Sequence, residues 1–473
     1  MFPQYMLPQY DYLYQDLRYY RLIYKKAYPL DFITKPFDIS NIADFVKNID
    51  NPRLNLADKY INNFYLQGKD DYLLVGINSQ FNFNSIDNEF RCAIRTYGLL
   101  PINNNISVVN VMAIDPWVTK QEGYIGKQWR GLAGYTEQAY IMYKNNFMRF
   151  SFGRSYYSKG NGRTGNLTYS WFIRPLDNVQ FELKRKNFTL SFMLAQLDPI
   201  NGSRRYLSTH TIGFRIKNFS VDFTESILYG GSDRLFTFSL LNPFLFFHGE
   251  QMNDGSLGVI GNTLGNITFD YLGNKWALYG EVLIDDVQLD KKEPGDLEPN
   301  EVGFLVGMET ADIFNISGLY IGIEYIVITN RTYKTPNKHE WFIHRNVPIG
   351  YPLGSDLDRI NIFLRKYIGN KIQVTFNIDY IRRGEGELSK EWDQPWMERT
   401  VEEGYSEPFP TGIVEYNLNP EFGFLYLFSY SNYIKLNLGL KRIDNYKHEK
   451  DKEKKEFYIA LQWLLDLKKP LLF

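Results

Sequence analysis

Apolar and polar residues alternate along one segment after another from about Tyr72 almost to the end of this 473-residue chain. In the clearest segment, from Lys371 to Tyr380, every even-numbered residue is apolar or aromatic and every odd-numbered residue is polar. A period of two is that of a β-strand with one apolar face. The pattern therefore predicts an all-β fold for this part of the chain.

The connections between these segments are of two kinds that alternate along the chain. Short turns contain or adjoin Asn, which tolerates the positive φ of tight hairpins; they lie near Asn104, Asn145, Asn187, Asn218, Asn274, Asn315, Asn370 and Asn432. Longer connections lie around residues 83–89, 115–131, 157–165, 198–204, 229–262, 286–301, 329–357, 384–411 and 444–456. Short turns at one end and long loops at the other are typical of an outer-membrane barrel. Nine loops and eight turns predict an up-and-down antiparallel barrel of 18 strands.

The composition narrows the class of protein further. Aromatic residues make up 17% of the chain, yet the mean hydropathy of -0.35 is polar. Aromatic girdles around a polar interior would give both values, although composition alone leaves a large soluble β-sandwich or propeller equally open. A propeller would repeat four strands per blade without two unlike ends. No run approaches the roughly 18 apolar residues of a transmembrane helix, so any membrane span must be β.

Three further features exclude classes of function. Only Cys92 is present, so neither an internal disulfide nor a cysteine metal site is expected. The net charge of -1 argues against a nucleic-acid partner. Met1 to Tyr10 lack the basic start and apolar core of a signal peptide, and we interpret this start as processed or mis-assigned.

The first 66 residues follow a different pattern from the rest. Asp38 and Ser40 mark a helix start, after which apolar residues recur at helical spacing, and a second short helix follows; the apolar residues are Ile42, Phe45, Val46 and Ile49, then Leu56, Tyr60 and Phe64. We predict that residues 1–66 form a helical periplasmic element that could plug the barrel of residues 67–473.

An ordered set of motifs resembles the capsule-assembly Wzi family. The set comprises Lys35-Pro36-Phe37, Gly153-Arg154 with Gly160 and Gly162, Arg205 to His210, Glu225, Asn242-Pro243-Phe244, Leu278-Tyr279-Gly280, Asp285-Asp286 and the loop from Gly350 to Asp358. The resemblance covers the chain from about residue 30 onward. It implies an 18-stranded outer-membrane barrel closed by a small helical element. It also implies that the protein helps to hold capsular polysaccharide at the cell surface in a lectin-like way. Fold transfers more safely than function across such a family.

A histidine and a glutamate take matching positions in one predicted hairpin. If Lys217 and Asn218 form a two-residue turn, His210 faces Glu225 at the end of an apolar ladder. We interpret the pair as two polar groups that satisfy each other near the edge of a hydrophobic region. A catalytic base and its orienting partner would look similar, with Ser208 as the nearest nucleophile.

Other polar motifs also have two interpretations. Asp285 and Asp286 lie where a strand enters a loop; a calcium or sugar contact is conceivable, but we expect a solvated pair that caps the loop. Asn242, like Asp285 and Asp286, is interpreted as part of a structural motif. His339 and His344 have the wrong spacing for a zinc-protease helix. The glycines around Arg154 and Arg163 are interpreted as loop flexibility.

Aromatic and basic residues in the predicted outer loops are the candidate ligand-binding groups. Five of the eight tryptophans fall there: Trp117, Trp129, Trp341, Trp392 and Trp396. They could stack on sugar rings or mark the membrane interface. Arginine can bind a carboxylate through two parallel hydrogen bonds. We therefore predict a polysaccharide site formed by Arg154, Arg163 and Arg205 with Trp117 or Trp129.

The leading hypothesis is a non-enzymatic protein in the outer membrane of a diderm bacterium that binds or organises capsular or extracellular polysaccharide. A diffusion or polysaccharide-export porin of the same fold is the alternative, and a membrane-embedded hydrolase that uses His210 is a weaker one. Outer-membrane lipid and, during biogenesis, the barrel-assembly machinery are the other expected partners. The chain closes on an apolar strand and Phe473, as the last strand of an exported barrel commonly does. No cofactor or metal is expected.

Overall fold

A computed structural model describes residues 5–7, 11–24, 30–47, 49–62, 64, 72–86, 89–116, 118–120, 126–254, 261–288 and 292–472. In these residues, 18 antiparallel strands form a closed barrel in which each strand pairs with its neighbours in sequence and the last pairs with the first. The strands are β1 (Tyr72–Asn84), β2 (Glu89–Pro101), β3 (Ile106–Asp115), β4 (Ala133–Lys144), β5 (Met148–Ser155), β6 (Leu176–Arg185), β7 (Phe188–Ile200), β8 (Ser203–Ile216), β9 (Phe219–Gly231), β10 (Asn262–Leu272), β11 (Trp276–Asp286), β12 (Glu301–Ala311), β13 (Leu319–Ile328), β14 (Leu357–Ile368), β15 (Ile372–Arg383), β16 (Glu415–Ser429), β17 (Asn432–Asp444) and β18 (Glu453–Leu472). The predicted strand number is confirmed.

The barrel has a turn end and a loop end, as predicted. The connections at the loop end are L1 (85–88), L2 (116–132), L3 (156–175), L4 (201–202), L5 (232–261), L6 (287–300), L7 (329–356), L8 (384–414) and L9 (445–452). Two predicted loops were wrong in extent. L4 is a two-residue turn at Asn201 and Gly202, and L3 continues ten residues beyond the predicted end at 165.

Of the asparagines predicted in the short turns, Asn315 has the expected positive φ, at 58°, whereas the other turns use Asn differently. In the turns before β7 and β9, the residues with positive φ are Lys186 and Lys217, at 51° and 53°. Asn145 instead accepts hydrogen bonds from the backbone N–H groups of Phe147 and Met148 through its side-chain oxygen. This is the side-chain turn for which Asn is suited.

Alternate side chains along the strands face two environments. On β12, Phe304, Val306 and Met308 are exposed on the outside of the barrel, whereas Leu305 and Glu309 are buried inside. An exposed apolar band around a polar lumen is the arrangement of a barrel that stands in lipid.

Three helices lie in the described residues before β1: α1 (Leu13–Ile23), α2 (Ile39–Lys47) and α3 (Pro52–Asn62). The two later helices agree with the predicted pattern, whereas α1 was not predicted. Helix α1 lies inside the barrel, where Arg21 forms ion pairs of 2.5 Å with Glu309 on β12 and 3.1 Å with Asp270 on β10. None of the helices in the described part of the chain is long and apolar enough to cross a membrane.

Candidate functional site

Loop L3 runs from the loop end into the lumen and meets the N-terminal segment there. Ser158 and Lys159 pair as a short antiparallel strand with Lys35 and Thr34. Further along the loop, the Asn161 side-chain amide donates to the Asp270 carboxylate at 2.5 Å. The lumen is thus occupied by helices from the turn end and by L3 from the loop end.

A buried carboxylate on β13 holds the tip of L3. Glu324 accepts hydrogen bonds from the backbone N–H groups of Arg163 and Thr164, at 2.6 and 2.9 Å, and from the Thr164 hydroxyl at 2.6 Å. The Tyr279 hydroxyl donates to the same carboxylate at 2.8 Å. Such a carboxylate, with four donors in a buried site, fixes the backbone of the loop.

The glycines in L3 are required by close packing rather than flexibility. Gly160 has a φ of 121°, and a Cβ atom there would lie 2.3 Å from the Glu281 carboxylate. At Gly162, a Cβ atom would lie 1.8 Å from the Gly165 carbonyl oxygen. The interpretation of these glycines as flexible loop residues was therefore wrong.

The end of L3 forms a cleft at the loop end of the barrel, which we call the Trp171 cleft. It has a volume of about 230 Å³ and is lined by basic and aromatic side chains, among them Arg154, Tyr156, Trp171, Phe172, Arg174 and Arg345. Asp115 and Glu137 also line it, and their carboxylates pair with Arg95. Trp171 and Phe172 stack with ring centroids 3.6 Å apart, and Phe172 is exposed. An aromatic surface beside several guanidinium groups suits an acidic sugar, because the sugar ring can stack while its carboxylate binds arginine.

A second cavity adjoins this cleft and shares Trp171 and Phe172 with it. This cavity, the Arg163 chamber, has a volume of about 390 Å³ and lies between L3, α1 and lumen-facing residues of β14 and β15. The Arg163 guanidinium lies 3.4 Å from the centre of the Phe363 ring. Among the described residues it has no ion pair or side-chain hydrogen bond, and burial, together with Arg365, lowers the pKa of Arg163 to about 10. Arg163 is thus a half-buried cation without a protein anion.

The three predicted ligand-binding arginines have different environments. The Arg154 guanidinium binds the Asp177 carboxylate through two hydrogen bonds of 2.8 and 2.6 Å, so a ligand would share it with that carboxylate. Arg205 is fully buried and donates to the backbone oxygens of His339, Trp341 and Ile343. Its assignment to the ligand site is therefore wrong, because its guanidinium braces L7 and is not accessible.

Among the described residues, none of the predicted tryptophans forms the aromatic part of the Trp171 cleft. Trp117 lies outside the described residues. Trp129 is exposed on L2, where the Arg130 guanidinium covers its ring at 5.2 Å. Trp341 and Trp396 are buried within the folded loops and cannot stack on a polymer.

A larger cleft of about 670 Å³ lies between L7 and L8. Its Arg331 is neutralised by Asp393 and Glu407, at 2.9 and 2.7 Å. Polar side chains in this cleft, including Asn330 and Tyr405, could bind sugar hydroxyls. Unlike the Trp171 cleft, it has no stacked pair of aromatic rings among its described lining residues.

The predicted structural motifs hold loops in place. His210 and Glu225 are paired across β8 and β9, with Nε2 and Oε2 3.1 Å apart, so the predicted register is confirmed. Asn242 accepts a hydrogen bond from the Phe244 N–H. Asp285 accepts one from the Tyr333 N–H in L7 and is buried rather than solvated. Asp286 accepts one from the Gln288 side chain. No cluster of three or more metal-ligating side chains occurs among the described residues.

The closed barrel, its exposed apolar band and its loop end define a β-barrel protein of the outer membrane. A family model described as capsule assembly protein Wzi matches residues 125–456, and the chain belongs to this family.

Among solved structures, the chain resembles Wzi of Escherichia coli, described as an outer membrane protein involved in group 1 capsule assembly and a carbohydrate-binding β-barrel. The identity is 13%, the TM-score is 0.65, and 98% of each chain is covered. The chain also matches OprD of Pseudomonas aeruginosa (7% identity, TM-score 0.47, 86% of this chain and 95% of that chain) and OccAB3 of Acinetobacter baumannii (8% identity, TM-score 0.47, 85% and 100%). At these identities the likeness concerns the fold. No curated protein matches the chain in sequence.

Sequence reasoning missed Trp171, Arg174 and Arg345 as site residues. The predicted L3 ended at residue 165, which placed Trp171 and Arg174 in a strand. Arg345 lies on L7, 174 positions from Trp171, and only the folded loops bring it to the cleft. The dipeptide Trp171-Phe172, two residues before Arg174, was the one available signal.

Proposed function

We propose that the protein binds an acidic capsular or extracellular polysaccharide at the loop end, in the Trp171 cleft, and releases it chemically unchanged. The observation that carries this proposal is the stacked Trp171 and Phe172 pair beside Arg154, Arg174 and Arg345, with the unpaired Arg163 guanidinium behind it. Sugar rings would stack on the aromatic surface, and the carboxylates of the polymer would bind the guanidinium groups.

Two features support a lectin-like role rather than an enzymatic one. The resembling E. coli protein is described as carbohydrate binding. In the described residues, Nδ1 of His210 has no hydrogen-bond partner, so no serine hydroxyl is positioned against it there. The alternative interpretation of His210 as a catalytic base, with Glu225 as its orienting partner, therefore lacks a nucleophile in contact with His210. From the fold we also propose outer-membrane lipid and the barrel-assembly machinery as partners.

The helices α1 to α3 and loop L3 are proposed to close the barrel to free diffusion. The helices pack against lumen-facing strand residues such as Leu74, Leu99 and Val109, and the tip of L3 is held on Glu324. A cavity of about 610 Å³ remains beside β1, β2, β17 and β18, lined by polar residues such as Asn78, Gln80 and Asn437. This cavity is the feature that favours the porin alternative.

The test of the polysaccharide site is replacement of Arg154 and Arg163 together by alanine. Charge-assisted hydrogen bonds contribute about 1.5–3 kcal/mol each, so we expect the affinity for purified acidic polysaccharide to fall about 10–100-fold for each bond lost. Binding to the unaltered protein should also weaken with salt, because exposed charges are screened over about 8 Å at physiological ionic strength. Calorimetric titration at low and high salt measures both effects.

Arg185→Ala is the matched control, because Arg185 is exposed at the turn end, where the polymer is not expected to bind. A second variant, Trp171→Ala, tests the stacking surface without a change in charge. If the arginine variant folds correctly and binds as well as the unaltered protein, the arginines are not part of the site. If only Trp129→Ala then reduces binding, the site lies on L2.

A further inference from the structure

Loop L5 lies against the outside of the barrel wall rather than over its lumen. On β9, Leu228 packs in the apolar cluster inside the barrel with residues of L3 and L7. The neighbours Ile227 and Tyr229 pack instead in a separate cluster with Leu240 and Phe247 of L5. Since successive residues of a strand face opposite sides of the sheet, L5 covers the outward face of β9.

The outward face of β9, which L5 covers, continues toward the turn end as the lipid-facing surface of the barrel. Phe219 and Phe223 share it with Glu225 and are exposed, as is Phe214 on β8. Glu225 is six residues from Phe219, where β9 leaves the turn end. With a rise of about 3.3 Å per residue and a strand tilt of about 40°, it lies about 15 Å above that end, within an apolar band about 25 Å tall.

A charged group at that depth is costly unless it is paired and shielded from lipid. Glu225 meets this condition through L5. Its two carboxylate oxygens accept hydrogen bonds from the backbone N–H groups of Phe247 and His248, both at 2.9 Å, at the start of helix α4 (Phe247–Asp254). The Phe247 ring lies 4.6 Å from the His210 ring. The loop thus caps the His210 and Glu225 pair from the outside.

The other side of the same loop is apolar and is exposed in the described part of the chain. Residues 235–249 contain no Asp, Glu, Lys or Arg. Four large apolar side chains of this run are strongly exposed: Leu235 at 66%, Phe238 at 80%, Phe244 at 75% and Phe246 at 63%. Soluble surfaces rarely keep so many large apolar groups together.

We propose that residues 235–249 are a lipid-embedded arm, whose Leu235, Phe238, Phe244 and Phe246 side chains contact the acyl chains of the outer leaflet. Lipid is the expected contact of the exposed side of the arm, because this side is continuous with the lipid-facing surface around Phe223. The arm is also docked on that surface through Glu225. The arm widens the contact of β8 to β10 with the membrane and keeps a polar pair out of the hydrocarbon.

Spin labelling tests the arm directly, because the chain has a single cysteine. In a Cys92→Ser background, Phe238→Cys and Phe244→Cys are labelled with a nitroxide and reconstituted into phosphatidylcholine and phosphatidylglycerol vesicles. Collision rates with oxygen, which concentrates in lipid, and with a water-soluble nickel complex are then measured. Phe223→Cys on the lipid-facing wall and Met397→Cys on exposed L8 are the matched controls.

We expect both arm labels to match Phe223→Cys, with high oxygen and low nickel collision rates. Nickel collision rates as high as those at Met397→Cys would place the arm in water and overturn the proposal. Low rates for both reagents would also overturn it, since they would show that another protein surface covers the arm. Retention of the heat-modifiable mobility of a folded barrel on gels verifies each variant.

Discussion

Replacing Asp16 by alanine is expected to destabilise the folded protein by about 3–5 kcal/mol, because the change leaves a buried arginine without its anion. Asp16 on α1 is fully buried and binds Arg53 of α3 at 2.6 Å. It also accepts hydrogen bonds from Tyr367 on β14, at 2.8 Å, and from Tyr430 between β16 and β17. One carboxylate thus joins two helices and the barrel wall.

The effect is measured by denaturant unfolding in lipid vesicles, followed by tryptophan fluorescence. The matched control is Asp444→Ala, which removes an acid from the half-exposed pair of Arg442 and Asp444. Exposed pairs contribute about 0–1 kcal/mol, so the control should unfold almost like the unaltered protein. Equal losses for both variants would contradict the account of a tightly bound N-terminal segment.

A second large effect is expected on the ion conductance of the protein in planar bilayers. The intact protein in planar bilayers is expected to show no steady, large conductance, because α1 to α3 and L3 occupy the lumen. The double variant Asp16→Ala with Glu324→Ala releases both occupants, since Glu324 holds the tip of L3 by three hydrogen bonds to Arg163 and Thr164. This variant should show frequent openings, whereas each single variant should open less often.

The cavity beside β1, β2, β17 and β18 makes this a demanding test. If it continues as a path through the barrel, the intact protein will conduct steadily. That result would favour the porin alternative and would remove the proposal that the lumen is closed. Openings of equal frequency in the intact protein and the double variant would show that neither Asp16 nor Glu324 controls the path.

The barrel could be predicted from the sequence because lipid and lumen impose a strict alternation on every strand. The hairpin of β8 and β9 shows this well, since one turn at Lys217 and Asn218 sets the pairing of His210 with Glu225. Such contacts depend on neighbours in sequence. Once the alternation and the turn are recognised, the register follows.

Helix α1 could not be predicted because it has no exposed polar face that a helical pattern would reveal. Asp16, Arg18 and Arg21 are buried. Arg18 and Arg21 pair with Glu309 and Asp270 on distant strands, and Asp16 pairs with Arg53 of α3. The prediction that Arg205 belongs to the ligand-binding site was wrong for a related reason. Arg205 stands near the end of a strand and looked accessible, but backbone oxygens of L7, more than a hundred residues later, enclose it.

The position of L5 on the outside of the barrel could not be predicted from the alternation of apolar and polar residues. Glu225 and His210 were recognised as a pair near the edge of an apolar region, yet the sequence did not show which group shields them. The answer depends on two backbone N–H groups of a loop helix. A long connection was predicted there, but its path along the outside of the wall is set by tertiary packing.

The intact protein is proposed to bind an acidic surface polysaccharide without altering it. The most direct test is calorimetric titration of the detergent-solubilised protein with capsular polysaccharide purified from the bacterium that produces it, beside uncharged dextran of similar length. We predict salt-sensitive binding of the acidic polymer, none of dextran, and an unchanged polymer length after incubation. Absence of binding at low salt, or a shortened polymer, would contradict the account.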